Sequence, residues 1–361
     1  IRSKLGLDSR TPRKQDFQYN FAFSGATCKQ LAPDSYQHQS TELVRLMDKD
    51  PDYWRNGLVI IRIGINDFGQ LPALETYAGG NPGTESLQFI DDCLHHITNA
   101  VELIRQNHSS VKIALIGIVD NSDLPYQQET DDTGHSNINR VLDTFDEGLM
   151  ELASDDPNII FIEDRQWFST TLGRWDSSGY VGRRQISLGG PAAITNTQGD
   201  HPKNIVLADR HAGTVFNGLW VRHALKHINW HFGFGFTPLL DSEIADLVDP
   251  QGELGIAPPK RTHEDGPELA VSRGRLEVSM NEFSDFQLPY EATDADGNDI
   301  SETATAFIET DSGEKLWLLG DGRDIRFDPK RHTAGQYVLQ MQVLDRYQQT
   351  ATIRIPLTIH K

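Results

Sequence analysis

Apolar and polar positions along the first two-thirds of the chain alternate between two textures. Short β-branched runs, "LVIIRI" (Leu58 to Ile63), "VKIALIGIV" (Val111 to Val119) and "NIIFIED" (Asn158 to Asp164), read as strands buried on both faces. "YNFAFSGA" (Tyr19 to Ala26) is aromatic and β-prone up to its Ser-Gly and is expected to be another strand. Between the runs lie helical stripes: Leu87, Ile90, Leu94, Ile97, Val101 and Ile104 in one, and Ile138, Val141, Leu142, Phe145, Leu149 and Leu152 in the next. Strands separated by helices of this length require right-handed crossovers and a parallel sheet. The expected fold is a three-layer α/β/α sandwich with a parallel sheet and helices on both faces, over residues 1–250. A loop, "DRHAG", should feed a helix from about Thr214, and Pro250 should stop a short acidic helix.

From Gln251 the texture changes. "QGELGIAPPKRTHEDGPE" is rich in proline, glycine and charge without periodicity, so 251–271 reads as a linker. Beyond it, short alternating segments such as "RLEVSM", "YVLQMQVLD" and "TATIRIPLTI" are parted by Asp-Gly turns, which predicts a small all-β sandwich over 272–361. In that domain "DADGND" (Asp294 to Asp299) is read as an Asp-Gly turn, with a cadherin-like calcium loop as the alternative.

Composition removes some partners. A net charge of −19 disfavours nucleic acid and anionic membrane, both of which reward positive patches. No window approaches the roughly 20 apolar residues of a membrane helix. Cys28 and Cys93 lack metal or redox spacing and are read as two buried thiols, with a single disulfide as the alternative. His223, His227 and His231 recur every four residues, as metal ligands on one helix face would, but no acidic or cysteine partner accompanies them; neither metal nor cofactor is expected.

Three short blocks carry candidate chemistry. "NFAFSGATC" holds Asn20, Ala22 and Gly25; "GIND" holds Gly64, Asn66 and Asp67 at the C-terminal end of a strand, where an open parallel sheet places its ligands; "ADRHAGTVFNGL" holds His211 ahead of a helix. In this order they resemble the second, third and fifth sequence blocks of the SGNH (GDSL-like) hydrolases, over residues 1 to about 250. The resemblance implies a serine that attacks an ester carbonyl and His211 as the base that takes its proton. It also implies an oxyanion hole built from the Gly25 backbone N–H and the Asn66 side-chain amide. Asp67 is read as structural, its carboxylate bonding nearby backbone N–H groups.

Two departures from the pattern are visible. The acid expected three residues before the histidine is replaced by Ala208; Asp209 is taken as the orienting carboxylate, with Asp200 or no acid at all as alternatives. No Gly-Asp-Ser block precedes Asn20: Ser9 lies too close to Gly25 for the intervening helix, Ser24 lacks a nucleophile elbow, and the serine is expected upstream of Ile1. The resemblance therefore points to hydrolysis of a carbohydrate or lipid ester, small-molecule or polysaccharide. The β domain would make carbohydrate or cell-surface contact, and the protein would be exported from a bacterium. The rival reading is a non-catalytic carbohydrate-binding or adhesion protein on a degenerate SGNH fold. Phosphoryl or nucleotide chemistry lacks the glycine-rich loop it would need.

Overall fold

The computed structural model describes residues 19–125, 130–176, 179–181, 185–257, 266–272, 274–279, 287–295, 297, 299–310, 315–320, 324–326, 333–345 and 349–360. The chain forms two compact units, Ile1–Gly182 and Arg183–Lys361. Ser9, Asp296 and Asn298, singled out above or within the acidic loop, lie outside the described residues.

In the first unit, helices α1 (Gln39–Met47) and α2 (Pro51–Trp54) precede strand β1 (Leu58–Ile61). Then come α3 (Leu71–Ala78), α4 (Gly83–Asn107), β2 (Lys112–Ile116), α5 (Asp132–Ser154), β3 (Ile159–Ile162), α6 (Arg165–Thr171) and the hairpin β4 (Arg174–Asp176) and β5 (Gly179–Val181). Strands β1, β2 and β3 pair in parallel in that order, with Leu58 opposite Lys112 and Ile113 opposite Ile159. The period of two along each strand sends Val59, Ile61, Ile113, Leu115, Ile159 and Phe161 into one core. The helical stripes meet them there: α4 buries Ile90, Ile97, Val101 and Ile104, and α5 buries Ile138, Val141, Leu142, Phe145 and Leu149. Consecutive strands joined by same-handed crossovers carry both long helices on one face, and α4 accordingly packs against α5. The Asp131 carboxylate starts α5 by accepting from the Gly134 N–H at 2.7 Å.

Three expectations are corrected in this unit. Tyr19–Phe23 is not a strand: the Asn20 side chain accepts from Ala22 N at 3.0 Å, Ala26 N bonds back to Phe23 O, and the segment turns at Ser24-Gly25. Strand β1 is not buried on both faces, because it forms the edge of the described sheet; Ile60 is 47% exposed. Finally, Cys28 and Cys93 are not free thiols but form a disulfide, which ties the loop before α1 to the middle of α4 across 65 residues of sequence.

The second unit begins with a three-stranded sheet, β6 (Gln185–Ile186), β7 (Ile194–Gln198) and β8 (Asn204–Val206), followed by helices α7 (Thr214–Phe232) and α8 (Asp241–Val248). Gly233, in the left-handed region at φ 71°, ends α7. The start of the expected linker is tied down: Asp249 accepts from the N–H groups of Leu254 and Ile256, and Gly190 N bonds to Ile256 O. The remaining strands are β9 (Glu268–Val271), β10 (Leu276–Ser279), β11 (Gln287–Thr293), β12 (Thr305–Glu309), β13 (Lys315–Gly320), β14 (Asp324–Arg326), β15 (Gly335–Leu344) and β16 (Thr350–His360). They run in the order β10-β16-β15-β12-β13-β14-β11-β9. Leu276 and Val278 of β10 share one core with Leu288, Tyr290 and Ala292 of β11, although these strands stand near opposite ends of that order. The strand series therefore curls over on itself. Gly297, at φ 80°, donates its N–H to Asp294 O at 2.9 Å.

Candidate active site

The site residues of the first unit gather where the chain leaves β1. Gly64 must be glycine twice over. Its φ is 113°, a region that side chains avoid, and a Cβ there would stand 3.1 Å from Phe68 and 3.3 Å from Ile118. Its carbonyl accepts from the N–H groups of Asp67 and Phe68, which closes the turn and turns Asn66 and Asp67 outward from the buried Phe68.

Asn66 and Asp67 both reach across to the loop that carries Gly25. The Asn66 Nδ2 donates to Ala26 O at 2.9 Å, and its Oδ1 accepts from Gln70 Nε2 at 3.0 Å. A backbone carbonyl only accepts, so the Ala26 contact fixes which way the amide faces. Cys28 N donates to both carboxylate oxygens of Asp67 at 3.1 Å. Burial pushes the Asp67 carboxyl up to about 6, against the hydrogen bonds from the Cys28 and Asp67 amides, which pull it down. The loop is thus held at Ala26 by Asn66, at Cys28 by Asp67, and at the Cys28 sulfur by Cys93. Gly25 lies between these anchors and the Ser24 turn, exposed, at φ 77°, with no atom within 4 Å of where a Cβ would be. Its backbone is open to a ligand, and Asn66 is bonded to the residue next to it.

His211 and Asp209 belong to the second unit, at the end of a tight turn. Leu207 N bonds to His211 O at 2.8 Å and Arg210 N to Leu207 O at 2.9 Å, with Arg210 at φ 71° between the two side chains of interest. A non-glycine residue there is strained by about 1–2 kcal/mol. The turn sets Asp209 Oδ1 3.1 Å from His211 Nδ1 and 3.2 Å from His211 N. Partial burial acts to raise the Asp209 carboxyl, but the two hydrogen bonds and the charge of His211 outweigh it and hold the group below its ordinary value. Asp200 instead accepts from Ala208 N at 3.3 Å. Both members of the Asp209–His211 pair are largely exposed.

On α7, burial and then the Lys226 charge push His227 down to about 4, and its ring lies 4.6 Å from that of His223. Among the described residues the three α7 histidines do not form a group of metal-ligand spacing. A cluster that does is Asp120 and Asp123, beyond the end of β2, with His135 of α5, all three buried. Its signal in the sequence is slight, two aspartates three apart just after an apolar run.

No curated protein matches the chain. Solved structures show only remote likeness. The Bacteroides uniformis β-glucuronidase is 13% identical with a TM-score of 0.17, covering 89% of this chain and 30% of its own. A nucleoside hydrolase-related hypothetical protein from Saccharophagus degradans is 12% identical with a TM-score of 0.21, covering 89% of this chain and 75% of its own. This chain therefore spans about 30% of the length of the β-glucuronidase. At such TM-scores neither likeness bears on the fold. Residues 2–173 match the family model "GDSL-like Lipase/Acylhydrolase". That match takes in Gly25, Asn66 and Asp67 and ends ahead of His211.

Proposed function

We propose that the protein is a serine hydrolase of carbohydrate or lipid esters. In this reading the ester carbonyl oxygen sits against the Gly25 N–H and the Asn66 amide. The amide has two N–H donors, one committed to Ala26 O and the other serving the developing oxyanion. A serine ahead of Asn20 attacks the carbonyl carbon. His211 Nε2 takes the hydroxyl proton and returns it to the departing alcohol, while Asp209 at Nδ1 orients the ring and stabilises the imidazolium. Water then repeats the sequence on the acyl-enzyme. The cadherin- or Ig-like β domain is assigned contact with a polysaccharide or cell surface, and the Cys28–Cys93 disulfide favours an exported, oxidising location.

The observation that carries the reading is the Asn66–Ala26 bond, which sets a side-chain amide beside the open Gly25 backbone inside the segment that matches an ester-hydrolysing family. The test is turnover of p-nitrophenyl acetate, tributyrin and an acetylated oligosaccharide by the protein expressed from its whole reading frame. Asn66→Ala should lower kcat by about 10²–10³ with KM little changed. Equal turnover in the variant removes Asn66 from the site. Polysaccharide retention without any turnover replaces hydrolysis by the binding-protein reading.

A further inference from the structure

Beyond the C-terminal end of β2 the chain runs through Gly117, Ile118 and Val119 into Asp120, and a single 3-10 turn, Asn121–Asp123, follows. The residues gathered there are polar and withdrawn from solvent. Asp120 is 2% exposed, Ser122 0%, Asp123 5%, and His135, from the first turn of α5, 8%. Asp120 Oδ1 is fully engaged, accepting from Ser122 N at 2.8 Å and from Ser122 Oγ at 2.5 Å. Its other oxygen, Oδ2, is buried and has no hydrogen-bond partner among the described residues. A buried carboxylate oxygen left in this state costs several kcal/mol unless a cation faces it.

That oxygen points into a group of metal-ligand spacing. His135 Nδ1 stands 3.8 Å from Asp120 Oδ2 and 3.6 Å from Asp123 Oδ1, and one ligand atom from each of the three residues lies within 4.8 Å of the others. These separations exceed a hydrogen bond. They approach the roughly 3.3–3.6 Å between two ligands of one tetrahedral ion with bonds of about 2.0–2.2 Å. A way in exists: Asp120 and Asp123 also line a cleft of about 450 Å³ whose walls include Asp143, Asp146 and Glu147. Asp146 there is already opposed by Arg165 at 2.6 Å.

We propose that Asp120, Asp123 and His135 form a binding site for one divalent cation of the Zn²⁺ or Mn²⁺ class. The imidazole nitrogen sets the class, because Ca²⁺ and Mg²⁺ take oxygen ligands, whereas a mixed set of imidazole and carboxylates suits the borderline ions. When His135 ligates through Nδ1, its ring proton sits on Nε2. Ser122, whose Oγ lies 3.0 Å from Nδ1, keeps its own proton on Asp120 and orients that carboxylate. The same polarity, together with complete burial, rules Ser122 out as a hydrolytic nucleophile: its proton is directed to the aspartate, not to the imidazole.

The test is binding of Zn²⁺ alone, and separately Mn²⁺ alone, to the chelator-stripped full chain. X-ray absorption at the zinc edge then gives the ligand shell of the wild type. The expected result is about one tightly held equivalent per chain, in a shell of one imidazole and otherwise oxygen. Asp120→Asn, which keeps the shape and the Ser122 contacts, should weaken binding about 100-fold or more. A shell with two or more imidazoles would place the ion on other histidines and overturn the proposal. So would unchanged affinity in Asp120→Asn, or no retained ion. Should Asp120→Asn not fold, the wild-type ligand shell decides by itself, and none of these readouts depends on ester hydrolysis.

Discussion

Replacing Asp67 by Asn should change how stability depends on pH in a direction that the structure fixes. The folded carboxyl is raised from 3.8 to about 6, chiefly by burial. Between those values the unfolded chain has lost the proton that the folded chain keeps. The folded state therefore binds more protons, and stability falls as pH rises from about 4 to about 6. Unscreened, the gap would be worth about 3 kcal/mol; Asp67 is only half-buried, and screening reduces this to about 1–2 kcal/mol. The stabilisation is full below pH 4 and lost as pH rises through the folded value. An asparagine at 67 retains an oxygen to accept from Cys28 N and carries no charge, so it lacks this dependence. The assay is urea denaturation of wild type and Asp67→Asn at pH 4, 5, 6 and 7, read as the difference between them, in which the other carboxylates cancel. The variant should gain about 1–2 kcal/mol on the wild type across that range, nearly all of it by pH 6.5. Parallel curves, or a variant that loses ground as pH rises, would refute the reasoning.

Gly64→Ala should destabilise the first unit by about 2–4 kcal/mol, since it combines a left-handed backbone penalty with contacts at 3.1 Å to the buried Phe68; Gly25→Ala, with open space around it, should cost only about 1–2 kcal/mol in the same denaturation assay. The Cys28→Ser, Cys93→Ser double variant releases a cross-link over 65 residues and should lose up to about 4 kcal/mol, and the wild type under reductant should lose a similar amount. In an ester-hydrolysis assay at equal folded fraction, Asp209→Asn should lower kcat more than Asp200→Asn, with both within about 0.5 kcal/mol of wild-type stability because the positions are exposed; a larger loss for Asp200→Asn would reverse the assignment.

Periodicity made the parallel sheet and its long helices legible. The stripe from Ile90 to Ile104 and the continuous apolar run of β2 both call for burial, and Ile113 and Leu115 of that run meet the stripe in one core. Leu87 belongs to the same stripe by spacing but lies near the start of α4 and is 40% exposed. Tyr19–Phe23 misled because aromatic residues favour a pleated surface only when a neighbouring strand supplies one; here Asn20 bonds to the local backbone instead. That Asn66 and Gly25 belong together was legible only through the family resemblance of their blocks, and the disulfide that fixes the same loop was hidden. Two cysteines 65 residues apart say nothing of distance in space. The Asp120–Asp123–His135 cluster was hidden for the same reason. Its members come from a strand end and a helix start, and only the packing of α5 against the sheet brings them together.

The central claim, that this is a serine ester hydrolase, is tested most directly by fluorophosphonate labelling of the protein expressed from its whole reading frame. The adduct is then located by peptide mass mapping. The account predicts one labelled serine, N-terminal to Asn20, whose labelling slows by about 10³ or more in His211→Ala because no other base takes its proton. An adduct on Ser24 or on any serine beyond it, or no adduct at all, would contradict it.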